Sequence, residues 1–122
     1  MAAEARIGVH TVQDVTVVTF EDRSLIDAQA IDEIGEELYG LVGDRRGQKL
    51  VLDMGKLVHL SSSALTVLAK LRKLIDGADG AMVLCGLSTD IKRMFKVTAL
   101  NRLFTFTATQ RDALEKLGAP AD

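Results

Sequence analysis

The spacing of apolar positions changes several times along the chain, and each change marks an element. Within residues 7–20, Ile7, Val9 and Thr11 alternate with other residues, and Val15-Thr16-Val17-Val18-Thr19-Phe20 is dense in β-branched side chains. That pattern predicts two strands. Gln13-Asp14 between them predicts a tight turn made without glycine. From Ile31 the spacing turns helical, with Ile31, Ile34, Leu38, Leu41 and Val42 on one side and Asp32, Glu33, Glu36 and Glu37 on the other. Asp27 is the expected N-cap of this helix and Gly43 its stop. The polar run Asp44-Arg45-Arg46-Gly47-Gln48 reads as a solvated surface loop rather than a phosphate site.

Lys49-Leu50-Val51-Leu52-Asp53 is continuous and apolar, as expected of a parallel strand buried on both faces. A second helix follows a loop, its stripe formed by Ala64, Val67, Leu68, Leu71, Leu74 and Ile75, with Thr66, Lys70, Arg72, Lys73 and Asp76 mostly off it. Gly77-Ala78-Asp79-Gly80 stops it, and Ala81-Met82-Val83-Leu84-Cys85 is a second buried strand. A third helix is predicted to start near Ser88 or Thr89 and to carry Ile91, Met94 and Phe95. Leu103-Phe104-Thr105-Phe106 is the last predicted strand. Thr109-Gln110-Arg111-Asp112 reads as the cap of a fourth helix with Leu114 and Leu117 inward. The order β-β-α-β-α-β-α-β-α argues an α/β domain with a small, mostly parallel sheet begun by a hairpin.

Composition narrows the function. With 122 residues, 48% apolar and 26% charged, the chain is expected to form one domain over 1–122, its core spanning about 6–118. Fifteen basic and seventeen acidic residues leave a net charge of -2, which argues against direct nucleic-acid binding. Aromatic residues are scarce at 4%, so no stacking platform is expected either. One cysteine excludes a disulfide framework or a multi-cysteine zinc site. Met1-Ala2-Ala3-Glu4-Ala5-Arg6 lacks an apolar signal-type core, and no run approaches a membrane span. The lone proline, Pro120, lies in a polar tail. A cytoplasmic protein without membrane contact is the expectation.

Enzyme motifs are absent. No glycine-rich phosphate loop occurs. His10 and His59 fall in or beside predicted strands without a second ligand at helical spacing, and Cys85 reads as a small core residue. No catalytic residue, metal or cofactor is expected. Ser61-Ser62-Ser63, directly before an amphipathic helix, is the feature that remains. One serine suffices to cap the helix. A second role is phosphorylation, since a phosphate at the positive end of a helix dipole is tolerated by the domain yet changes what a partner meets.

The stretch Val51-Leu52-Asp53-Met54-Gly55-Lys56-Leu57-Val58-His59-Leu60-Ser61-Ser62-Ser63-Ala64-Leu65 resembles the signature of STAS domains, the anti-sigma factor antagonist family. There a buried strand ending in Asp leads to an Asp-Ser-Ser/Thr/Ala-Gly-Leu turn that opens a helix. The likeness continues through Gly80-Ala81-Met82-Val83-Leu84-Cys85-Gly86-Leu87-Ser88. It extends into Ile91-Lys92-Arg93-Met94-Phe95-Lys96-Val97-Thr98-Ala99-Leu100-Asn101-Arg102-Leu103-Phe104. Two positions depart from the family pattern: Ser61 stands where the Asp is usual, and Ala64 where the Gly is usual.

The resemblance implies a STAS-type α/β fold with four helices mainly on one face of the sheet. It also implies a protein that is the substrate of an enzyme and not one itself. The partner would be an anti-sigma factor that is a serine kinase of the histidine-kinase ATPase type, with a phosphatase as the second partner. Ser62 matches the phosphorylated serine, Ser63 and Ser61 being the neighbouring alternatives. Asp27, Ser61, Ser62, Ser63 and Ala64 would form the partner surface. Two other readings stay open: a STAS scaffold in a signalling assembly that is not phosphorylated, and a small-anion or nucleotide site at the helix start beside Asp27.

Overall fold

Strand pairing begins at the N-terminal hairpin. Ile7–Val12 (β1) and Val15–Phe20 (β2) pair antiparallel, from Ile7 opposite Phe20 to Val12 opposite Val15. The turn falls at Gln13-Asp14 as expected, and in the absence of glycine Gln13 itself adopts a left-handed φ of 54°. The remaining elements, in chain order, are Ser24–Leu25 (β3), Ala28–Val42 (α1), Lys49–Asp53 (β4), His59–Leu60 (β5) and Ser62–Gly77 (α2). Then come Ala81–Cys85 (β6), Thr89–Val97 (α3), a 3-10 turn at Leu100–Arg102, Thr105–Thr107 (β7) and Gln110–Lys116 (α4). This computed structural model describes residues 7–43 and 45–119. The N-terminal hexapeptide, Asp44 of the predicted loop and Pro120 lie outside the described residues.

The main sheet has the order β1-β2-β4-β6-β7, and every pair after the hairpin is parallel. Parallel neighbours cannot be joined by a tight turn, so a helix crosses between each pair. Alternation sorts the strand residues onto two faces. Val18, Leu50, Leu52, Met82 and Leu84 meet the buried faces of α1, α2 and α3. Val15, Val17, Val51, Val83 and Cys85 meet α4 through Ala113 and Leu114, with Leu117 and Ala119 beyond it. Both faces of β4 and β6 are covered, which is why those strands read as unbroken apolar runs. Three helices share one face and α4 alone covers the other, so helices lie mainly on one face. Small Val, Ala and Cys side chains suffice under the single short helix.

The segment after α3 departs from the sequence expectation. The last strand is Thr105–Thr107 rather than Leu103-Phe104-Thr105-Phe106. Ala99 takes φ 61°, a 3-10 turn follows, and Leu103 stays 39% exposed. Phe104 is buried before the chain enters the sheet. Its ring meets Phe95 edge-on at 5.3 Å, and Phe106 meets Phe95 at 5.4 Å, tying α3 to β7. Leu74, placed by its spacing on the buried stripe of α2, is 40% exposed. Ile75, on the same expected stripe, is buried one turn beyond Leu71. The small β3–β5 sheet was not foreseen, because two-residue strands carry no period.

Leu68 and Leu71 are 1% and 0% exposed in the α2 face of the larger core. Truncating either to Ala should cost about 2–5 kcal/mol through lost transfer energy and the cavity left behind. Chemical denaturation of each variant against the parent measures this directly.

Candidate functional site

The connection from β4 to α2 is pinned along its length. The carboxylate of Asp53 accepts from the Gly55 N–H at 2.9 Å and from Gln110 Nε2 at 2.8 Å, joining the loop to the start of α4. The Met54 N–H donates to the Cys85 carbonyl, and the Val58 and His59 N–H groups donate to the Arg23 carbonyl. Met54, Leu57 and Leu60 drop their side chains into the core. Gly86 lies directly beneath: its φ is 73°, and a Cβ there would sit 3.1 Å from both Cα and N of Gly55. A glycine is therefore required where the two loops touch. Fixed in this way, the loop delivers Ser61, Ser62 and Ser63 to one defined place.

The short β3–β5 pairing then sets two helix starts side by side. Ser24 and Leu25 pair in parallel with His59 and Leu60, and the Ser61 N–H donates to the Leu25 carbonyl. Asp27 and Ser61 follow at once as N-caps. The Asp27 carboxylate accepts from the Ala30 N–H at 3.0 Å, as expected of it, and the Ser61 hydroxyl accepts from the Ala64 N–H at 3.2 Å. Of the three serines, then, Ser61 is half-buried and engaged as the cap. Ser62 and Ser63 are exposed in the first turn of α2. The first-turn N–H groups of a helix have no intrahelical partner, so this end of α2 favours negative charge.

Ala64 does not join that surface. Its side chain is 1% exposed and lies on the inward phase with Leu68 and Leu71. Its expected place among the partner-binding residues is corrected on this ground, because a partner cannot reach a methyl group that packs against the core.

Spacing did not reveal the groove beside Ser62. A depression of about 380 Å³ runs between the start of α2 and α3. Leu65, Met94, Val97 and Thr98 line it, with Ser62, Asp90 and Arg93 supplying its polar rim. Val97 is 79% exposed, and Ile26, immediately before the Asp27 cap, is 57% exposed. The helical phase contained the signal: with Ile91 and Phe95 fully inward, Val97 falls on the outer side of α3, where a β-branched apolar residue has no packing role. α3 is also rich in cations. Lys92, Arg93 and Lys96, with Arg102 after it, are exposed and have no ion-pair partner among the described residues. Lys92 and Lys96 border a second, smaller depression of about 190 Å³ floored by Phe95 and Phe106.

His10 and His59 are exposed on β1 and β5. No group of three His, Cys, Asp or Glu side chains among the described residues is placed to hold a metal ion. Cys85 is fully buried beside Asp53, and burial, reinforced by that carboxylate, pushes its thiol up to about 12. No described helix is long and apolar enough to cross a membrane.

Comparison with known proteins agrees with this geometry. The STAS domain family matches residues 6–113 of the chain. BtrV of Bordetella bronchiseptica, named as an anti-sigma factor antagonist, is 26% identical over 91 residues, covering 75% of this chain and 77% of BtrV. The structure of an anti-sigma-factor antagonist (STAS) domain protein from Planctomyces limnophilus superposes with a TM-score of 0.84 at 22% identity, covering 94% of this chain and 99% of that one. The Bacillus cell fate determinant SpoIIAA, solved in its phosphorylated form, superposes with a TM-score of 0.68 at 14% identity, covering 92% of this chain and 99% of that one.

Two outcomes are expected of the pinned loop and its neighbour. Asp53→Ala removes the acceptor for Gly55 and Gln110 and should destabilise by about 1–3 kcal/mol, with faster amide exchange at Gly55 as the local sign. Cys85 should react with a thiol reagent at pH 8 only as fast as the protein unfolds. Since its folded value is raised, its contribution to stability is full below the ordinary thiol value of 9.0 and is lost as pH rises toward about 12. Denaturation curves of the parent and Cys85→Ala across that window check the sign.

Proposed function

The chain belongs to the STAS domain family, and on that basis we propose that it is an anti-sigma factor antagonist switched by phosphorylation of Ser62. Its partner is an anti-sigma factor that is also a serine kinase of the histidine-kinase ATPase type, and the encounter takes place in the cytoplasm. Unmodified, the surface formed by Asp27, Ser61, Ser62 and Ser63 docks against the kinase, with Ile26 and the groove wall at Val97 as apolar contacts. Docking holds the anti-sigma factor and frees its sigma factor. In the transfer step the Ser62 hydroxyl oxygen forms a bond to the γ-phosphorus of ATP. The bond from that phosphorus to the bridging oxygen breaks, ADP leaves, and the hydroxyl proton passes to a base on the kinase. A phosphatase reverses the modification by hydrolysis.

The observation that carries this reading is the division of labour among the serines. Ser61 is engaged as the cap, and of the two exposed ones Ser62 borders the groove. Relatives support it through their names, BtrV among them, and through the phosphorylated form in which SpoIIAA was solved. Both departures from the family pattern are quiet in this fold. Serine and aspartate cap helices about equally well, so Ser61 retains the capping role open to Asp. The methyl group of Ala64 faces the core and not a partner.

With a kinase-type ATPase of this class and ATP, mass spectrometry should place one phosphate on Ser62. Ser61→Ala should retain it and Ser62→Ala should lose it. Ser62→Asp should change stability by less than about 0.5 kcal/mol, as expected for an exposed position. It should nevertheless weaken binding of the kinase by about tenfold or more, because an unmatched charge must be desolvated on docking. Phosphate on Ser63 would shift the switch by one residue. No phosphate on any of the three would leave a scaffold.

A further inference from the structure

Ser62 and Arg93 face each other across the same groove, one on the first turn of α2 and the other on the middle of α3. We propose that Arg93 is an internal receiver for the phosphate on Ser62, so that phosphorylation closes the groove with the chain's own side chain. The inference rests on Ser62 as the modified residue and adds how the modification acts: by occupying the docking groove and not by charge repulsion alone.

Arg93 is suited to this. It has no ion-pair partner among the described residues, so binding a phosphate breaks no existing bridge. Its planar fork of donors matches phosphate oxygens in pairs, which a lysine cannot do. Its backbone is held in place, since Ile91 and Phe95 on either side of it along α3 are buried at 0% and 1% exposure and Ser88 caps the helix. Lys92 and Lys96 border the depression floored by Phe95 and Phe106, leaving Arg93 as the cation on the rim of this groove among the described residues. Asp90, one turn earlier on the same rim, carries the opposing charge. A phosphate on Ser62 therefore meets free N–H groups of α2 and one guanidinium, against the Asp90 carboxylate on the rim and the Asp27 carboxylate at the neighbouring start of α1. When the guanidinium swings to the phosphate, the pair lies over Leu65 and Met94, the apolar floor that a partner side chain would enter.

The test needs neither kinase nor partner. Phosphoserine is installed at position 62 of the full chain by codon reassignment, and its second ionisation is followed by 31P NMR. In the parent this pKa should lie below that of Arg93→Gln by about half a unit or more, since a nearby cation favours the dianion. Arg93→Lys should fall between, and Asp90→Asn should lower the value further. The free helix N–H groups are unchanged in all of these, so the difference isolates the side chain. In the parent alone, the Arg93 Nε–H signal should move downfield on phosphorylation and the Met94 methyl signal should shift with it. Equal pKa values in parent and Arg93→Gln, or an Arg93 signal indifferent to the phosphate, would overturn the proposal. Failure of a kinase to modify Ser62 would instead overturn the switch itself, and the two failures are read in separate experiments.

Discussion

Parallel pairing of β2, β4 and β6 is the constraint on which the rest of the molecule depends. Strands that run the same way must each be left at the same edge of the sheet, so every strand-to-helix junction gathers there. Asp27, Ser61 and Ser88, the caps of α1, α2 and α3, all belong to that edge. The candidate site is thus a result of topology before it is a result of any one residue. Three helix starts with their free N–H groups converge there, and an anion placed among them has the dipoles in its favour.

Precision at that edge comes from the loops beneath it. The Asp53 carboxylate binds the β4 loop to α4 on the far face, and Gly86 lets the β6 loop pass within contact of Gly55. The two faces of the sheet are therefore mechanically linked at the end that carries the serines. A loop held by buried Met54, Leu57 and Leu60 loses little conformational entropy when a partner docks on it, which favours affinity without extra contact area.

Much of this was legible in the sequence. The apolar runs of β4 and β6, the heptad-like stripe of α1, the caps at Asp27 and Thr109 and the hairpin turn all leave local patterns, and all lie where those patterns put them. What escaped did so for physical reasons. The β3–β5 pair is too short to show a period. The last strand slid two residues along because Phe104 is claimed by the aromatic cluster at Phe95, a contact remote in sequence. Leu74 and Ile75 are adjacent and equally apolar, and which of them faces inward is decided by the packing of α2 on the sheet. The serines were found by motif, but the groove beside them depends on how two helices lie together. Val97 alone hinted at it, as an apolar residue out of phase with its own helix.

The sealed position of Cys85 has a consequence for what can address this domain. A chain whose one thiol is enclosed between a sheet and a helix offers a thiol-directed reagent nothing to modify without first unfolding it. The hydroxyl groups on its surface stay open to modification while thiol exchange with the surroundings passes it by. The same seclusion makes the native sequence a silent background for chemistry. A cysteine placed on the rim of the groove would be the single accessible thiol, and a reporter attached there would watch the groove alone.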